Sequence, residues 1–96
     1  ILRIHGNYCG PNWVHGQNMA EADYYTVAEV QPIDKLDAAC QAHDKDCSQG
    51  GCSSKGDLAL RDVALAVAVS SPDMQTRATA ALIAIAMEVV APTRSR

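Results

Sequence analysis

The chain has 96 residues and a net charge of −3, and aromatic residues make up only 4% of it. A domain of this size is near the limit at which a hydrophobic core alone suffices, so covalent cross-links are expected. The net charge argues against nucleic acid as a partner, and no apolar run reaches the roughly 18 residues expected of a membrane-spanning helix. Because the chain begins at Ile1 with no leader-like stretch, a processed form or an excised domain is expected.

Residues 1 to 32 predict an irregular N-terminal arm, because glycine, asparagine and proline are scattered through them without a sustained period. Within the arm, the run Asn7-Tyr8-Cys9-Gly10-Pro11-Asn12-Trp13 predicts a tight turn that contains glycine. The helical pattern starts only after this arm.

A first helix is predicted over residues 33 to 48. Asp34 and Asp37 lie in its first turn, where the helix dipole favours acids, and Gly50-Gly51 ends it. At 100° per residue, one stripe about 60° wide holds Leu36, Cys40, His43 and Cys47. Asp44 lies at the edge of this stripe, so His43 and Asp44 are expected to flank one groove.

Two further helices are predicted over residues 54 to 91, with a break at Ser70-Ser71-Pro72-Asp73. The first of them is apolar on most sides, which predicts that it is largely buried. Thr93 to Arg96 are expected to form a frayed tail. The predicted fold is therefore all-α, with three helices and a cysteine-pinned N-terminal loop.

The four cysteines indicate two disulfides and an oxidising compartment, and they allow three pairings. Zinc is an alternative, because Cys40-x2-His43-x3-Cys47-x4-Cys52 supplies suitable ligand types, although its spacing matches no common zinc-finger pattern. A third interpretation combines the loop with the helix. Backbone carbonyls and one carboxylate would form an oxygen site that suits Ca²⁺, and a histidine beside the ion could activate water against an ester. Taken alone, the helix favours a structural interpretation, in which His43 is a hydrogen-bonded core histidine and Asp44 a solvated surface acid.

The two motifs Tyr8-Cys9-Gly10 and Asp37-x-x-Cys40-x-x-His43-Asp44 resemble those of the secreted phospholipase A2 family. The signatures of that family are a YCG-x-G calcium loop and a D-x-C-C-x-x-H-D helix. Residues 32 to 40 are especially similar to the short bacterial, fungal and invertebrate members and to the phospholipase domain of parvovirus capsid proteins. The motifs cover about residues 6 to 47, roughly half of the chain.

The resemblance implies a calcium-dependent enzyme that hydrolyses the sn-2 acyl ester of glycerophospholipids, releasing a fatty acid and a lysophospholipid. His43 would be the general base. The implied calcium ligands are the Asp44 carboxylate and the carbonyls of Tyr8, Gly10 and Asn12. The Gly10 amide would stabilise the oxyanion.

An aspartate behind the histidine completes the family site. Asp57 fits it best, since Asp57-x-x-Leu60 reproduces an acid followed by an apolar residue, but helical periodicity also allows Asp62. The resemblance further implies a Cys9–Cys40 disulfide, which leaves Cys47 to pair with Cys52.

Two positions depart from the family pattern. Asn12 replaces the second loop glycine. Cys47 stands where many members have a tyrosine that hydrogen-bonds the supporting aspartate, and Tyr24 or Tyr25 is expected to substitute for it.

The implied partner is a phospholipid membrane surface or micelle, contacted peripherally, with Trp13 the best candidate for the interfacial rim. The cysteines favour secretion, with a domain of a viral capsid protein as the alternative. A non-catalytic relative that keeps the calcium site as a toxin subunit or binding module is the alternative function.

Overall fold

A computed structural model describes residues 2 to 96. Three helices make up most of it: α1 (Lys35–Cys47), α2 (Ser54–Ser70) and α3 (Met74–Val90), followed by a 3₁₀ turn at Ala91–Thr93. Two disulfides cross-link the chain. The mainly helical, disulfide-stapled fold predicted from the sequence is confirmed.

Each helix begins at a polar cap. The Asp34 carboxylate accepts a hydrogen bond from the Asp37 amide at 2.8 Å, so α1 starts two residues later than predicted because Asp34 is itself the extended cap. Ser53 caps α2 and Asp73 caps α3 in the same way. Gly50 and Gly51 follow α1 at positive φ, as expected for a glycine stop.

The N-terminal arm contains a small hairpin that the sequence pattern did not predict. Strands β1 (Trp13–Val14) and β2 (Gln17–Asn18) pair antiparallel around a two-residue turn. His15 and Gly16 in that turn both have positive φ, as such short hairpins require. A 3₁₀ helix, Glu21–Thr26, then leads the chain towards α1.

The core contains two tyrosines as well as aliphatic residues. Tyr8 and Tyr24 from the arm are its largest fully buried side chains. They pack in one cluster with Leu36 of α1 and with small residues, among them Ala64 of α2 and Ala80 of α3. Small side chains let helices approach closely, so α2 and α3 form a hairpin that supports α1.

The prediction that α2 is largely buried is wrong. Leu65 is 50% exposed and Val69 is 75% exposed. Within residues 2 to 96, α2 packs mainly against α1 and α3, and its far side stays uncovered.

An apolar face also remains exposed on α3. Met74, Leu82, Ile85 and Val89 are each at least 60% exposed. By length and composition Met74–Thr93 is apolar enough to cross a membrane, a test that core helices also pass. The helix packs against the core through Ala80, Ile83 and Ala84, which leaves one side of α3 apolar and uncovered.

Candidate functional site

Asp37 shapes the loop that precedes the site. Its carboxylate is fully buried and accepts hydrogen bonds from the backbone amides of Asn7 (2.9 Å), Tyr8 (2.8 Å) and Ile33 (3.0 Å). Gly6 has φ of 61°, and a Cβ built on it would lie 2.3 Å from Asp37 Cγ. Close approach of the backbone to the carboxylate therefore requires glycine at position 6.

Two disulfides hold the loop and the end of α1. Cys9 is joined to Cys40 and Cys47 to Cys52, the pairing that the resemblance implies. Asn12 adopts φ of 52°, so asparagine provides a left-handed backbone where the YCG-x-G loop pattern has its second glycine. The backbone N–H of Asn12 donates a hydrogen bond to Glu21 Oε2 at 3.1 Å.

His43 and Asp57 form the central polar pair of the site. His43 Nε2 lies 2.6 Å from Asp57 Oδ1, and the Asp57 side chain is fully buried. When Nε2 carries the proton and donates it to Asp57, Nδ1 remains a hydrogen-bond acceptor. Asp62, the alternative partner, is 66% exposed and contacts Arg61 instead. The structure thus places Asp57 behind His43 and leaves Asp62 at the surface.

Arg94 also contacts Asp57. Its Nε lies 2.6 Å from Asp57 Oδ2, and its Nη2 lies 3.3 Å from Oδ1. Burial alone would raise the pKa of Asp57, but hydrogen bonds from Arg94 and His43 outweigh it and hold this pKa below its ordinary value. The expectation of a frayed tail is wrong, because Arg94 anchors the tail at the site.

The two tyrosines considered as partners of the supporting aspartate lie elsewhere. The Tyr24 hydroxyl donates to Glu29 Oε1 at 2.7 Å, and Tyr25 is 65% exposed. In this structure Arg94, rather than a tyrosine, donates hydrogen bonds to Asp57 from outside α1.

The Cys47–Cys52 disulfide packs against the histidine ring. Cys47 Sγ lies 3.7 Å from His43 Nδ1 and 3.9 Å from Nε2. Ligand atoms of His43, Cys47 and Cys52 all lie within 4.8 Å of one another, which by distance alone would suit a metal ion. Both sulfurs are in a disulfide, however, and metal ligation by cysteine requires a thiolate. With all four cysteines oxidised, the zinc interpretation loses its ligands.

Asp44 lies on α1 beside His43 and is only 4% exposed. Among the residues that the structure describes, none hydrogen-bonds its Oδ2. Burial, reinforced by the nearby carboxylates of Glu21 and Asp37, raises the pKa of Asp44 to about 9. The geometry therefore favours a proton or a cation at this oxygen.

His43, Asp44, Arg94 and the Cys47–Cys52 disulfide line a cavity of about 510 Å³. The loop from Tyr8 to Asn12, with Glu21, His43 and Asp44, forms its polar end. Its lining also includes the apolar side chains of Ile4, Leu60, Leu82, Ile83 and Met87. A cavity lined by both polar and apolar groups suits a ligand that has a polar group and a hydrocarbon chain.

Trp13 does not line this cavity. Its indole N–H donates to the Gly6 carbonyl at 3.0 Å, and its side chain is partly buried. Two apolar residues that do line the cavity, Ile4 and Leu82, are exposed, whereas the sequence interpretation named Trp13 as the best candidate for the lipid-facing rim.

Three other residues of the region escaped the sequence interpretation. Glu21 and Arg94 reach the cavity from the arm and the tail, where no motif marks them. His15 is buried, with Nδ1 2.9 Å from the Tyr8 hydroxyl and Nε2 2.8 Å from the Tyr24 carbonyl. In the sequence, His15 is marked only by the glycine that follows it, and this local pattern does not predict contacts with Tyr8 and Tyr24.

No protein-family model, curated protein or solved structure matches the chain.

Proposed function

We propose that the protein is a calcium-dependent phospholipase A2-type enzyme that hydrolyses the sn-2 acyl ester of glycerophospholipids. One observation carries the proposal: a histidine held by a buried aspartate shares an amphipathic cavity with a second buried carboxylate whose Oδ2 accepts no hydrogen bond from residues 2 to 96. The motif resemblance in residues 6 to 47 supports the same assignment.

The residues around Asp44 fit an ion that prefers oxygen ligands. Asp44 supplies one carboxylate, and the carbonyls of Tyr8, Gly10 and Asn12 lie in the loop that lines the same end of the cavity. Within residues 2 to 96, the Tyr8 and Gly10 carbonyls accept no hydrogen bonds, while the Asn12 carbonyl accepts one from the Met19 amide at 3.1 Å. Ca²⁺ prefers this mixture of carboxylate and backbone oxygens.

His43 would act as the general base. With Nε2–H directed at Asp57, Nδ1 can accept a proton from water that attacks the ester carbonyl. The Asp57 carboxylate would stabilise the imidazolium that forms and keep the ring oriented. The Gly10 amide would donate to the developing oxyanion. When bound, calcium would supply Lewis-acid polarisation of the ester.

The substrate would be reached at a lipid surface. Leu82 of α3 lines the cavity and is also exposed, so an acyl chain could pass from the membrane into the cavity along apolar surface. This supports a peripheral contact with a phospholipid membrane or micelle. The two disulfides are consistent with a secreted protein, with a viral capsid domain as the alternative setting.

The test is fatty-acid release from vesicles of phosphatidylcholine and phosphatidylglycerol, measured in calcium and in excess EGTA. We expect release to require calcium and to fall at least about a hundredfold in His43→Gln, because removal of a general base costs about 10²- to 10⁴-fold. Asp62→Asn is the matched control and should retain wild-type release, since Asp62 lies outside the cavity.

Absence of release from folded, disulfide-bonded protein would overturn the catalytic proposal. If calcium still bound to that protein, the alternative of a non-catalytic toxin subunit or binding module would take its place. Calorimetric titration with calcium, on wild-type protein and Asp44→Asn, separates these outcomes.

A further inference from the structure

The C-terminal tail folds back onto the site. After the 3₁₀ turn Ala91–Thr93, Arg94 reaches the buried Asp57, and the Arg96 carbonyl accepts a hydrogen bond from the Ser54 amide at 3.1 Å. The Arg96 guanidinium donates to the carbonyl of Gly51 and lies near Asp46. The tail is thus attached at two separate points, and only one of them touches the His43–Asp57 pair.

We propose that Arg94 is a positioning residue that fixes the Asp57 carboxylate in the orientation needed to hold His43. The proposal rests on the proposed function for its catalytic consequence. Arg94 bonds both carboxylate oxygens: Nε reaches Oδ2 and Nη2 reaches Oδ1, the oxygen that also accepts from His43. A planar guanidinium holds a carboxylate in one plane as a single ammonium group cannot.

The charge of the buried Asp57 carboxylate also points to Arg94 as its partner. Asp57 is fully buried, and an ionised carboxylate away from water requires a partner of opposite charge. His43 is neutral when it is ready to accept a proton, so among the described residues that contact Asp57 only Arg94 brings a permanent positive charge.

Two groups face Asp57 from the elements packed around it: His43 from α1 and Arg94 from the tail. The carboxylate of Asp46, near the tail, adds a negative charge that acts on Arg94. Without Arg94, Asp57 would be more easily protonated or would rotate. In either case His43 would lose its fixed acceptor.

The experiment compares Arg94→Gln, Arg94→Lys and the control Arg96→Gln with the wild-type protein. Arg96→Gln removes the side-chain contacts of Arg96 with Gly51 and Asp46 and leaves Asp57 untouched. Carbon-13 NMR titration of the Asp57 carboxyl in EGTA reports on the carboxylate directly, without any requirement for activity. Initial rates on the same vesicles give kcat and KM, and circular dichroism checks that each variant is folded.

We expect Arg94→Gln to raise the Asp57 pKa and to lower kcat about tenfold with little change in KM, the scale typical of lost supporting hydrogen bonds. Arg94→Lys should keep the Asp57 pKa low and recover only part of kcat, because it restores the charge but not the paired hydrogen bonds. Arg96→Gln should match the wild-type protein in both measurements.

An unchanged Asp57 pKa in Arg94→Gln would overturn the proposal, as would an unchanged kcat in an active enzyme. If Arg94→Gln does not fold, Arg94→Lys decides: wild-type kcat in that variant contradicts the positioning role, and a reduced kcat supports it. If the wild-type protein itself releases no fatty acid, the proposed function fails. The NMR titration then decides the role of Arg94 by itself.

Discussion

Asp44 carries the least satisfied polar group in the described part of the molecule. Its Oδ2 is buried without a hydrogen bond, whereas the equally buried Asp37 and Asp57 have full sets of partners. A carboxylate in this position destabilises the fold unless a cation or a proton compensates it. The proposed calcium site would therefore be maintained at a cost in the stability of the ion-free protein.

We expect Asp44→Asn to stabilise the calcium-free protein, on the order of 3 kcal/mol at pH 7, and to abolish calcium binding. The pKa of Asp44 is raised to about 9 in the folded state, so the unfolded chain releases its proton at lower pH than the folded one does. The unfolding free energy of the wild-type protein, compared with that of Asp44→Asn, is therefore highest below about pH 4. It falls as the pH rises towards 9.

Urea unfolding in EGTA, at several pH values, measures this difference. Parallel pH profiles for the wild-type protein and Asp44→Asn would contradict the assignment. Added calcium should stabilise only the wild-type protein, because a ligand stabilises the state that binds it.

Asp37 differs from Asp44, since its carboxylate accepts hydrogen bonds from backbone amides, which it holds in place. Asp37→Asn replaces one carboxylate oxygen by an NH₂ group, which donates hydrogen bonds and cannot accept them from the backbone amides of Asn7 and Tyr8. We expect a loss of about 2 to 3 kcal/mol in unfolding free energy, since hydrogen bonds to charged groups are worth about 1.5 to 3 kcal/mol. Thermal denaturation measures it, and an unchanged midpoint would show that the loop does not depend on this carboxylate.

At the scale of elements, α1 organises the site. Asp37 near its start holds the loop, Cys40 ties the loop covalently, and His43 and Asp44 face the cavity. Because α2 contributes Asp57 and the tail contributes Arg94, the site forms only when four separate segments meet: the loop, α1, α2 and the tail.

The two disulfides should contribute unequally. Cys9–Cys40 spans 31 residues and Cys47–Cys52 spans 5, so chain entropy predicts a loss of about 4 kcal/mol for the first pair changed to alanine and about 2 kcal/mol for the second. The second disulfide packs against His43, so its removal should lower activity although it costs the smaller loss of unfolding free energy. Paired denaturant unfolding and activity assays measure both effects, and equal destabilisation by the two pairs would contradict this order.

At the scale of the whole molecule, an apolar cavity wall and an exposed apolar helix face lie side by side. Three helices and a short arm cannot cover every side of α2 and α3, so the outer side chains of both remain in water. Leu82 belongs to both features, since it lines the cavity and is 68% exposed. This overlap is the physical basis of the proposed lipid contact.

Leu82→Gln should weaken binding to phospholipid vesicles about tenfold, because insertion of a leucine side chain is worth about 1.5 to 3 kcal/mol. Val69→Gln is the matched control: Val69 is 75% exposed on α2 and lies away from the cavity. Vesicle sedimentation measures both. Equal loss in the two variants would indicate nonspecific adhesion rather than a defined lipid-facing surface.

Local patterns in the sequence were sufficient for the helices and for the motif residues of α1. Helix starts follow from capping chemistry within three or four residues, and the spacing of Cys40, His43 and Asp44 fixes their relative directions on one helix. The hairpin was missed because its strands have only two residues each, too few for alternation to be visible.

The choice between Asp57 and Asp62 required the tertiary structure. Both lie on α2, and their order along the helix does not show which side faces α1. Arg94 was missed for a related reason: its partner Asp57 is 37 residues away, and a basic residue in a tail carries no local signal of such a contact.

The sequence by itself determined the helical class, the loop with its glycine and asparagine turns, and the placement of His43 beside Asp44, because these depend on interactions between near neighbours. Only the tertiary structure decided which acid supports His43, that Arg94 supports this acid in turn, and which apolar residues stay exposed. Each of these depends on how α1, α2, α3 and the tail pack together, and packing joins residues that the sequence keeps far apart.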